Sequence, residues 1–263
     1  MTTSSMAQQR DAILFSRYGL AFDCATLDEL VARALQQAAT PQLYCTCNVN
    51  HLRLLQTNTL FQEAYGKAAV VTVDGRPIRM LVRLQTRHDV PVVTGADLFP
   101  ALLDKLRPGI DRPFFVASAP EAAQALAAQL IARGFAADAI GQDSPPYGFE
   151  RDAVYSSNLV AQIAALGTTH LFMGVGAPKS ELWVARHFAE LPPAHIFCVG
   201  AALDFSSQRK SRAPSWVQRM SLEWLHRMLS EPRRLVPRYA GDALFLAGIL
   251  AGRRLAPIVP PRT

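Results

Sequence analysis

The sequence predicts an α/β protein in which a parallel, Rossmann-like sheet is flanked by helices and followed by a basic helical appendage at the C terminus. Short apolar runs alternate with segments of helical periodicity, which is the pattern of a parallel sheet. Half of the 263 residues are hydrophobic and 18% are charged, as in folded proteins. Residues 206–263 carry 11 Lys/Arg against 3 Asp/Glu, and the preceding residues carry 16 against 18. The whole basic excess therefore lies in the C-terminal tail.

Five apolar runs have the length of buried strands. They are residues 43–46, 69–73, 113–117, 170–174 and 195–199. Helical patterns occupy residues 49–64, 78–84, 96–106, 121–133, 153–166 and 179–191. In residues 121–133, for example, Ala123, Leu126 and Leu130 recur at helical spacing. Residues 141–151 are rich in Gly, Pro, Ser and Asp, so we expect a loop there.

A polar, basic stretch at residues 205–211 interrupts this alternation. We therefore expect two parts, a core over residues 1–205 and an appendage over residues 206–263. Residues 216–229 are compatible with an amphipathic helix that carries Trp216 and Trp224. Such a helix suits an anionic membrane surface or a nucleic acid, and an ordinary solvated surface helix is the third alternative. Arginine outnumbers lysine ten to one in this tail, which favours recognition of phosphate or diphosphate.

The four cysteines, Cys24, Cys45, Cys47 and Cys198, have neither a disulfide nor a zinc-binding pattern. We expect Cys45 and Cys47 to be small buried residues of a strand, and the thiols to be reduced. The first 20 residues lack the features of a secretory leader. The apolar run at 243–251 is too short to cross a bilayer, which takes about 20 residues, although it could lie on one. The simplest expectation is a cytoplasmic protein.

Polar and glycine residues follow the predicted strands, and ligands of open parallel sheets bind beyond the carboxyl ends of the strands. In chain order these residues are Thr46, Asn48, Asp74, Gly75, Ser118, Gly174, Gly176, Gly200 and Asp204. Asp74 stands between an apolar run and Gly75, so it is either a general base for a substrate hydroxyl or a helix cap. The turn at 173–179 is either a phosphate site or a plain connection, because Lys179 replaces the third glycine of a dinucleotide-binding loop.

Several motifs together resemble the WecG/TagA/CpsF family of glycosyltransferases, over about residues 40–240. The motifs are Thr46-x-Asn48, Val73-Asp74-Gly75, Thr94-Gly95-Ala96-Asp97-Leu98, Gly174-x-Gly176-x-Pro178-Lys179-x-Glu181, Val199-Gly200, Asp204-Phe205, Arg212-Ala213-Pro214, Glu223-Trp224-Leu225-x-Arg227, Glu231-Pro232 and Arg238-Tyr239. Each is weak alone, but they occur in the order of the family, and their joint occurrence is specific.

The resemblance implies a hexosyltransferase of bacterial exopolysaccharide or cell-surface polysaccharide biosynthesis. Such an enzyme moves a sugar from a UDP-sugar to a polyprenyl-diphosphate-linked saccharide, with inversion and without a metal or another cofactor. The resemblance also implies a peripheral position on the inner face of the cell membrane, with the tail docked on the anionic surface. Assembly into a homo-oligomer is left open, and no nucleic-acid partner is implied.

The resemblance assigns roles to individual residues as well. Asp74 matches the proposed catalytic base of the family, with Thr46 and Asn48 beside it. The arginines that fold over the site and hold diphosphate correspond here to the candidates Arg227, Arg233, Arg234 and Arg238. The remaining expected substrate contacts are Gly75, Gly174, Gly176, Lys179 and Glu181.

Three positions depart from the family pattern, in which Ser180 would be a glutamine, Val92 an arginine and Gln208 a glycine. The donor therefore stays open among UDP-N-acetylmannosamine, its uronic acid, UDP-glucose and others. Two other classes of protein also stay open. One is a nucleotide- or nucleic-acid-binding protein with a basic tail, and the other is a Rossmann-type oxidoreductase with an incomplete glycine fingerprint.

Overall fold

A six-stranded parallel sheet forms the centre of the structure, a computed structural model that describes residues 12–15, 19–200, 202–206, 228 and 232–252. In chain order the strands are β1 (Ala12–Phe15), β2 (Leu20–Asp23), β3 (Gln42–Cys47), β4 (Ala68–Val73), β5 (Pro113–Val116), β6 (Gly141–Asp143), β7 (His170–Met173) and β8 (His195–Cys198). The α-helices are α1 (Leu27–Ala34), α2 (Val49–Leu54), α3 (Thr59–Lys67), α4 (Arg76–Thr86), α5 (Gly95–Leu103), α6 (Pro120–Ala132), α7 (Ala153–Ala165), α8 (Lys179–His187), α9 (Ala202–Ser206) and α10 (Pro232–Leu250).

The strands of the central sheet lie in the order β4-β3-β8-β7-β5-β6, and all neighbours are parallel. Helices cover both faces, so the central strands are buried on both sides. Successive side chains of a strand point to opposite faces, which is why Leu43 and Cys45 belong to one apolar cluster and Tyr44 to another. We call the first side face 1, covered by α2, α3, α4, α7, α8 and α10. Face 2 is covered by α1, α5, α6 and α9.

The predicted parallel sheet with flanking helices is confirmed. The five predicted strands coincide with β3, β4, β5, β7 and β8 to within one residue at each end. The loop expected at 141–151 is wrong at its start, because Gly141–Asp143 pairs with β5 as an edge strand. The single helix expected over 49–64 is two helices, since the Asn58 side chain accepts the Phe61 N–H at 3.0 Å and caps a new start.

An antiparallel hairpin of β1 and β2 lies outside the central sheet, and the sequence patterns did not predict it. Leu20 and Phe22 of β2 are buried in the face-1 cluster, which ties the hairpin to the core. The chain then enters α1 through Thr26, whose side chain and that of Glu29 form a capping box.

The last described helix, α10, packs against α2 on face 1. Phe245 and Ile249 are buried in the face-1 cluster, and Asp242 accepts a hydrogen bond from Arg53 Nε at 3.1 Å. The amphipathic helix predicted at 216–229 lies, apart from Met228, outside the described residues. The appendage as a separate basic unit therefore stays a prediction. Within the described part of the chain, no helix combines the length and the apolar character needed to traverse a bilayer.

Candidate functional site

The carboxyl ends of all six central strands meet at one edge of the sheet, because the strands are parallel. Helices begin directly after most of them, so backbone N–H groups point toward this edge. Asn48 follows β3, Asp74 follows β4, and Gly174 follows β7. The edge thus gathers the candidate residues of separate motifs, as expected for an open parallel sheet.

Asn48 and Asp74 are joined at this edge. The Asn48 side-chain amide donates a hydrogen bond to Asp74 Oδ2 at 3.4 Å. The other end of that amide is fixed, since Asn48 Oδ1 accepts the His51 N–H at 3.1 Å and caps α2. The backbone of Asp74 is held as well, by donation of its N–H to the Cys47 carbonyl at 2.9 Å. The carboxylate is half-buried, so it is oriented by a fixed amide and still accessible.

Thr46 and Gly75 flank this pair. Thr46 lies opposite Thr72 in the β3–β4 ladder, and it is buried one residue before the end of β3. Gly75 begins the connection to α4 with φ +100°, in the left-handed region that side chains with a Cβ rarely adopt. The chain can therefore turn away sharply after Asp74, which leaves the carboxylate at the edge.

The glycine turns after β7 and β8 touch each other. A Cβ on Gly174 would lie 2.6 Å from Leu203 Cδ2, so only glycine allows α9 to pack this closely. A Cβ on Gly200 would lie 3.8 Å from Gly176 Cα. The Gly174 N–H donates to the Val116 carbonyl at 2.7 Å, so that amide belongs to the sheet and not to a phosphate site. A ligand at this turn would meet the chain from Val175 onward.

Lys179 stands at the first position of α8, next to this turn. Its Nζ lies 5.3 Å from the ring centroid of Tyr147, an exposed aromatic residue in the connection after β6. An ammonium over a ring face is attractive, although at an exposed ring such as this the gain is only about 0.5–1 kcal/mol. Lys179 therefore presents a positive charge beside the glycine turns.

Glu181 is buried, with 2% of its surface exposed. Its Oε1 lies 3.9 Å from His51 Nε2, and its Oε2 has no hydrogen-bond partner among the described residues. Burial raises the pKa of Glu181 to about 7, opposed by a backbone hydrogen bond and by Arg238. Burial, together with Arg238, lowers the pKa of His51 to about 3. The pair therefore favours a neutral imidazole and a carboxyl group that readily holds a proton.

His51, Glu181 and their neighbours form a polar cluster inside face 1 that the motifs did not indicate. His51 Nδ1 and the Tyr65 hydroxyl share a hydrogen bond of 2.8 Å. Arg238 of α10 acts on both ionisable groups, and its Nε lies 3.8 Å from Asp242. The helical spacing of His51 on α2 could have marked it as a buried residue, but nothing in the sequence indicates that α8 and α10 meet it.

The four candidate arginines are described to different extents. Arg238 is half-buried at the polar cluster, and Arg233 is exposed at the start of α10. Arg227 lies outside the described residues, as does the side chain of Arg234. Contacts between these arginines and the Asn48–Asp74 pair stay a prediction.

Two further polar residues at the edge form a pair. The Ser118 hydroxyl, after β5, donates to Asp204 Oδ1 at 3.1 Å, and Asp204 on α9 is buried. Both residues were found by their positions after strands, but their contact was not expected. Ser118 follows β5, which is separated from β4 by three strands, so the ends of these two strands lie about 19 Å apart along the edge.

The cysteines and the acidic residues of the described chain form no metal cluster. Cys45, Cys47 and Cys198 are buried free thiols, and burial raises the pKa of each. The prediction that Cys45 and Cys47 are small buried residues of a strand is confirmed, since both lie in β3. Among the residues that the structure describes, no group of three or more His, Cys, Asp or Glu side chains could hold a metal ion.

Comparison with known proteins gives two findings. The family model described as "Glycosyl transferase WecG/TagA/CpsF family" matches residues 15–257. One curated relative, the N-acetylglucosaminyldiphosphoundecaprenol N-acetyl-beta-D-mannosaminyltransferase of Bacillus spizizenii, is 28% identical over 196 residues, which are 71% of this chain and 72% of that protein.

Proposed function

The chain belongs to the WecG/TagA/CpsF family of glycosyltransferases, and from this premise we propose that it transfers a sugar from a UDP-sugar to a polyprenyl-diphosphate-linked saccharide. The product would be an intermediate of exopolysaccharide or another cell-surface polysaccharide. The relative named above acts on a diphosphoundecaprenol-linked N-acetylglucosamine, by its name. UDP-N-acetylmannosamine is accordingly the first donor to test, followed by UDP-glucose.

The observation that carries the mechanism is the hydrogen bond between Asn48 and Asp74. A general base must be oriented toward the hydroxyl that it deprotonates, and Asp74 is oriented by the amide of Asn48 while remaining partly accessible. In the proposed step the acceptor hydroxyl gives its proton to Asp74, and its oxygen attacks the anomeric carbon of the donor. The bond from that carbon to UDP breaks, so the sugar is transferred with inversion. Thr46 lies beside this pair.

The departing UDP carries negative charge, which the site must stabilise if no metal takes part. Lys179 stands beside the glycine turns at Gly174 and Gly176, where it can approach a diphosphate. We propose that arginines of the tail supply further positive charge around the diphosphate. The candidates are Arg227, Arg233, Arg234 and Arg238. Glu181 is proposed to act from the interior, by setting the position of α8 against α2.

We further propose that the protein is peripheral on the inner face of the membrane and docks through its C-terminal part. The outer side of α10 supports this proposal, because Val236, Leu244 and Leu250 are exposed there while Phe245 and Ile249 face the core. A helix that is apolar on its outer side as well can rest against the lipid interface. Homo-oligomer formation stays open.

The decisive experiment measures transfer from a panel of UDP-sugars to a short polyprenyl-diphosphate-sugar acceptor, in the presence of EDTA. We expect transfer to persist with EDTA, and Asp74→Asn to lower kcat about 100-fold or more. The matched control Asp138→Asn removes an exposed carboxylate near the opposite edge of the sheet and should keep full activity. Near-normal turnover of folded Asp74→Asn protein would exclude Asp74 as the base.

A further inference from the structure

The exposed side of α4 is strongly basic. Arg76, Arg79 and Arg83 lie on the helix, Arg87 caps its end, and all four are exposed. No acidic residue occurs between Gly75 and His88. Asp89 follows, and it accepts a hydrogen bond from Arg79 Nε at 2.7 Å, which compensates one of the four charges. Residues 75–89 therefore keep a net charge of +3, although the core as a whole is slightly acidic.

The same side of α4 also exposes two large apolar side chains. Met80 and Leu84 are 41% and 65% exposed and stand one helical turn apart. Arg76, Arg83 and Arg87 are three or four residues from one of them, so the basic and apolar groups share one side of the helix. Ile78, Leu81 and Val82 occupy the opposite side, buried against face 1. The helix is thus anchored by its inner side and presents a mixed basic and apolar outer side.

The place of α4 relates this outer side to the candidate site. The helix begins at Arg76, two residues after Asp74. Gly75 caps its start and Pro77 lies in its first turn, so this end of α4 stands at the carboxyl edge of the sheet. It lies in the same layer as α10, because both helices cover face 1. The exposed apolar residues of α10 and the exposed side of α4 therefore both lie on the outer side of one layer.

From these observations we propose that α4 is a second membrane-docking surface, which binds anionic lipid headgroups through its arginines and inserts Met80 and Leu84 between them. Basic residues near an anionic leaflet attract it, and aliphatic side chains add burial in the interface. A nucleic acid would use the charges but gives no role to Met80 and Leu84. The docked helix would hold the Asp74 edge near the membrane. This benefit rests on the proposed function, since it requires a lipid-linked acceptor, whereas the docking itself does not.

The first test reports whether Leu84 enters the lipid interface. A nitrobenzoxadiazole label is attached to Leu84→Cys in the full chain, with Cys24→Ser because Cys24 is the only partly exposed cysteine among the described residues. With vesicles of phosphatidylglycerol and phosphatidylcholine that contain no acceptor, we expect a blue shift and an increase in emission. The control Ile110→Cys, with Ile110 62% exposed beyond α5, should stay in water. A label at position 84 that stays in water while the protein is bound would overturn the proposal.

The second test removes the charges. Arg83→Gln with Arg87→Gln should weaken partitioning into anionic vesicles about 25-fold, at about fivefold per arginine, and the effect should shrink with added salt. The control Lys105→Gln with Arg151→Gln removes two exposed charges elsewhere and should change partitioning much less. Equal losses in both pairs would show a general charge effect and contradict a specific surface on α4.

Activity separates this inference from the proposed function. We expect the α4 arginine variant to retain transfer to a short, water-soluble acceptor and to lose transfer to an acceptor embedded in vesicles. If no sugar is transferred to any acceptor but the vesicle results hold, the docking surface stands and the proposed function fails. If transfer is normal and partitioning does not depend on α4, the enzyme stands and the surface fails.

Discussion

At the scale of single residues, the Asn48 side chain makes two hydrogen bonds with different roles. Its oxygen caps α2 by accepting the His51 N–H, and its amide nitrogen donates to Asp74. A carboxylate at position 48 could still cap the helix, because Asp is as good an N-cap as Asn. It could not donate to Asp74, and it would place a second negative charge beside the first.

We therefore expect Asn48→Asp to move the acidic limb of the profile of kcat/KM against pH to a higher pH than in the wild type, because neighbouring carboxylates resist joint ionisation. Asn48→Ser is the matched control, since it keeps a capping oxygen without adding charge, and its limb should move less. An unmoved limb in Asn48→Asp would argue that Asp74 is not the titrating base.

The sequence was sufficient to place Asn48 and Asp74, because residues that follow strands of a parallel sheet must converge at one edge. It was insufficient for Glu181, which stands in the first turn of α8 as a surface residue could. Its burial follows from three helices distant in the chain, α2, α8 and α10, and no local pattern encodes their contact. The hydrogen bond from Ser118 to Asp204 depends in the same way on packing across the sheet.

At the scale of elements, α10 is packed into the hydrophobic core and is not attached only at its surface. Phe245 is 7% exposed and belongs to the face-1 cluster, whereas its neighbour Leu244 is 76% exposed. Apolar runs in the sequence predicted five strands of the central sheet well, because these strands are buried on both faces. They missed β6, whose three residues Gly141–Asp143 are polar and gain their pairing only from the neighbouring β5.

We expect Phe245→Ala to lower the free energy of unfolding by about 3 kcal/mol, because it leaves a cavity between α10 and α2 that the surroundings fill only partly. Leu244→Ala, one residue away on the outer side, should change it by about 0.5 kcal/mol or less. Urea unfolding followed by tryptophan fluorescence measures both values. Equal and small losses would mean that α10 contributes little to the core.

At the scale of the whole molecule, buried ionisable groups lie at both edges of the sheet. At the edge opposite the candidate site, His170 Nε2 donates to the Ala34 carbonyl at 3.0 Å, and His195 Nε2 donates to that of Gln36 at 2.8 Å. Burial lowers the pKa of His170 to about 4 and also lowers that of His195. His51 behaves likewise, while Glu181 is shifted the other way.

These shifts fix how stability depends on pH. Below pH 6.5 the histidines of the unfolded chain bind protons, whereas His51 and His170 stay neutral in the folded protein. The stability that these two residues contribute is therefore lost as the pH falls. Glu181 opposes them, because the folded protein holds its proton up to about pH 7 and the unfolded chain releases it near 4.5. Between pH 4.5 and 6.5 the unfolded state thus binds one net proton more, and His195 adds to this difference. From His51, His170 and Glu181, stability should rise with pH by about 1.4 kcal/mol per unit in the middle of this range. Burial also raises the pKa of Asp242, which opposes this rise.

Glu181→Gln removes the opposing group, so the slope should steepen to about 2.7 kcal/mol per pH unit over the same range. Urea titrations at several pH values measure the slopes. Glu63→Gln, a change at an exposed carboxyl group of α3, should leave the wild-type slope. A slope that does not respond to Glu181→Gln would mean that Glu181 is ionised in the folded protein throughout this range.

The contact between α10 and α2 also has a consequence for how the protein is made. Arg53 and Asp242 are 189 residues apart in the chain, and ribosomes add about 5–20 residues per second. The nascent chain therefore carries α2 for about 10–40 s before the helix that covers it has been synthesised. During that interval the apolar surface of the core that Phe245 and Ile249 later cover is exposed to solvent. We expect the growing polypeptide to need a chaperone over this patch, and a ribosome stalled before residue 245 to leave an aggregation-prone product.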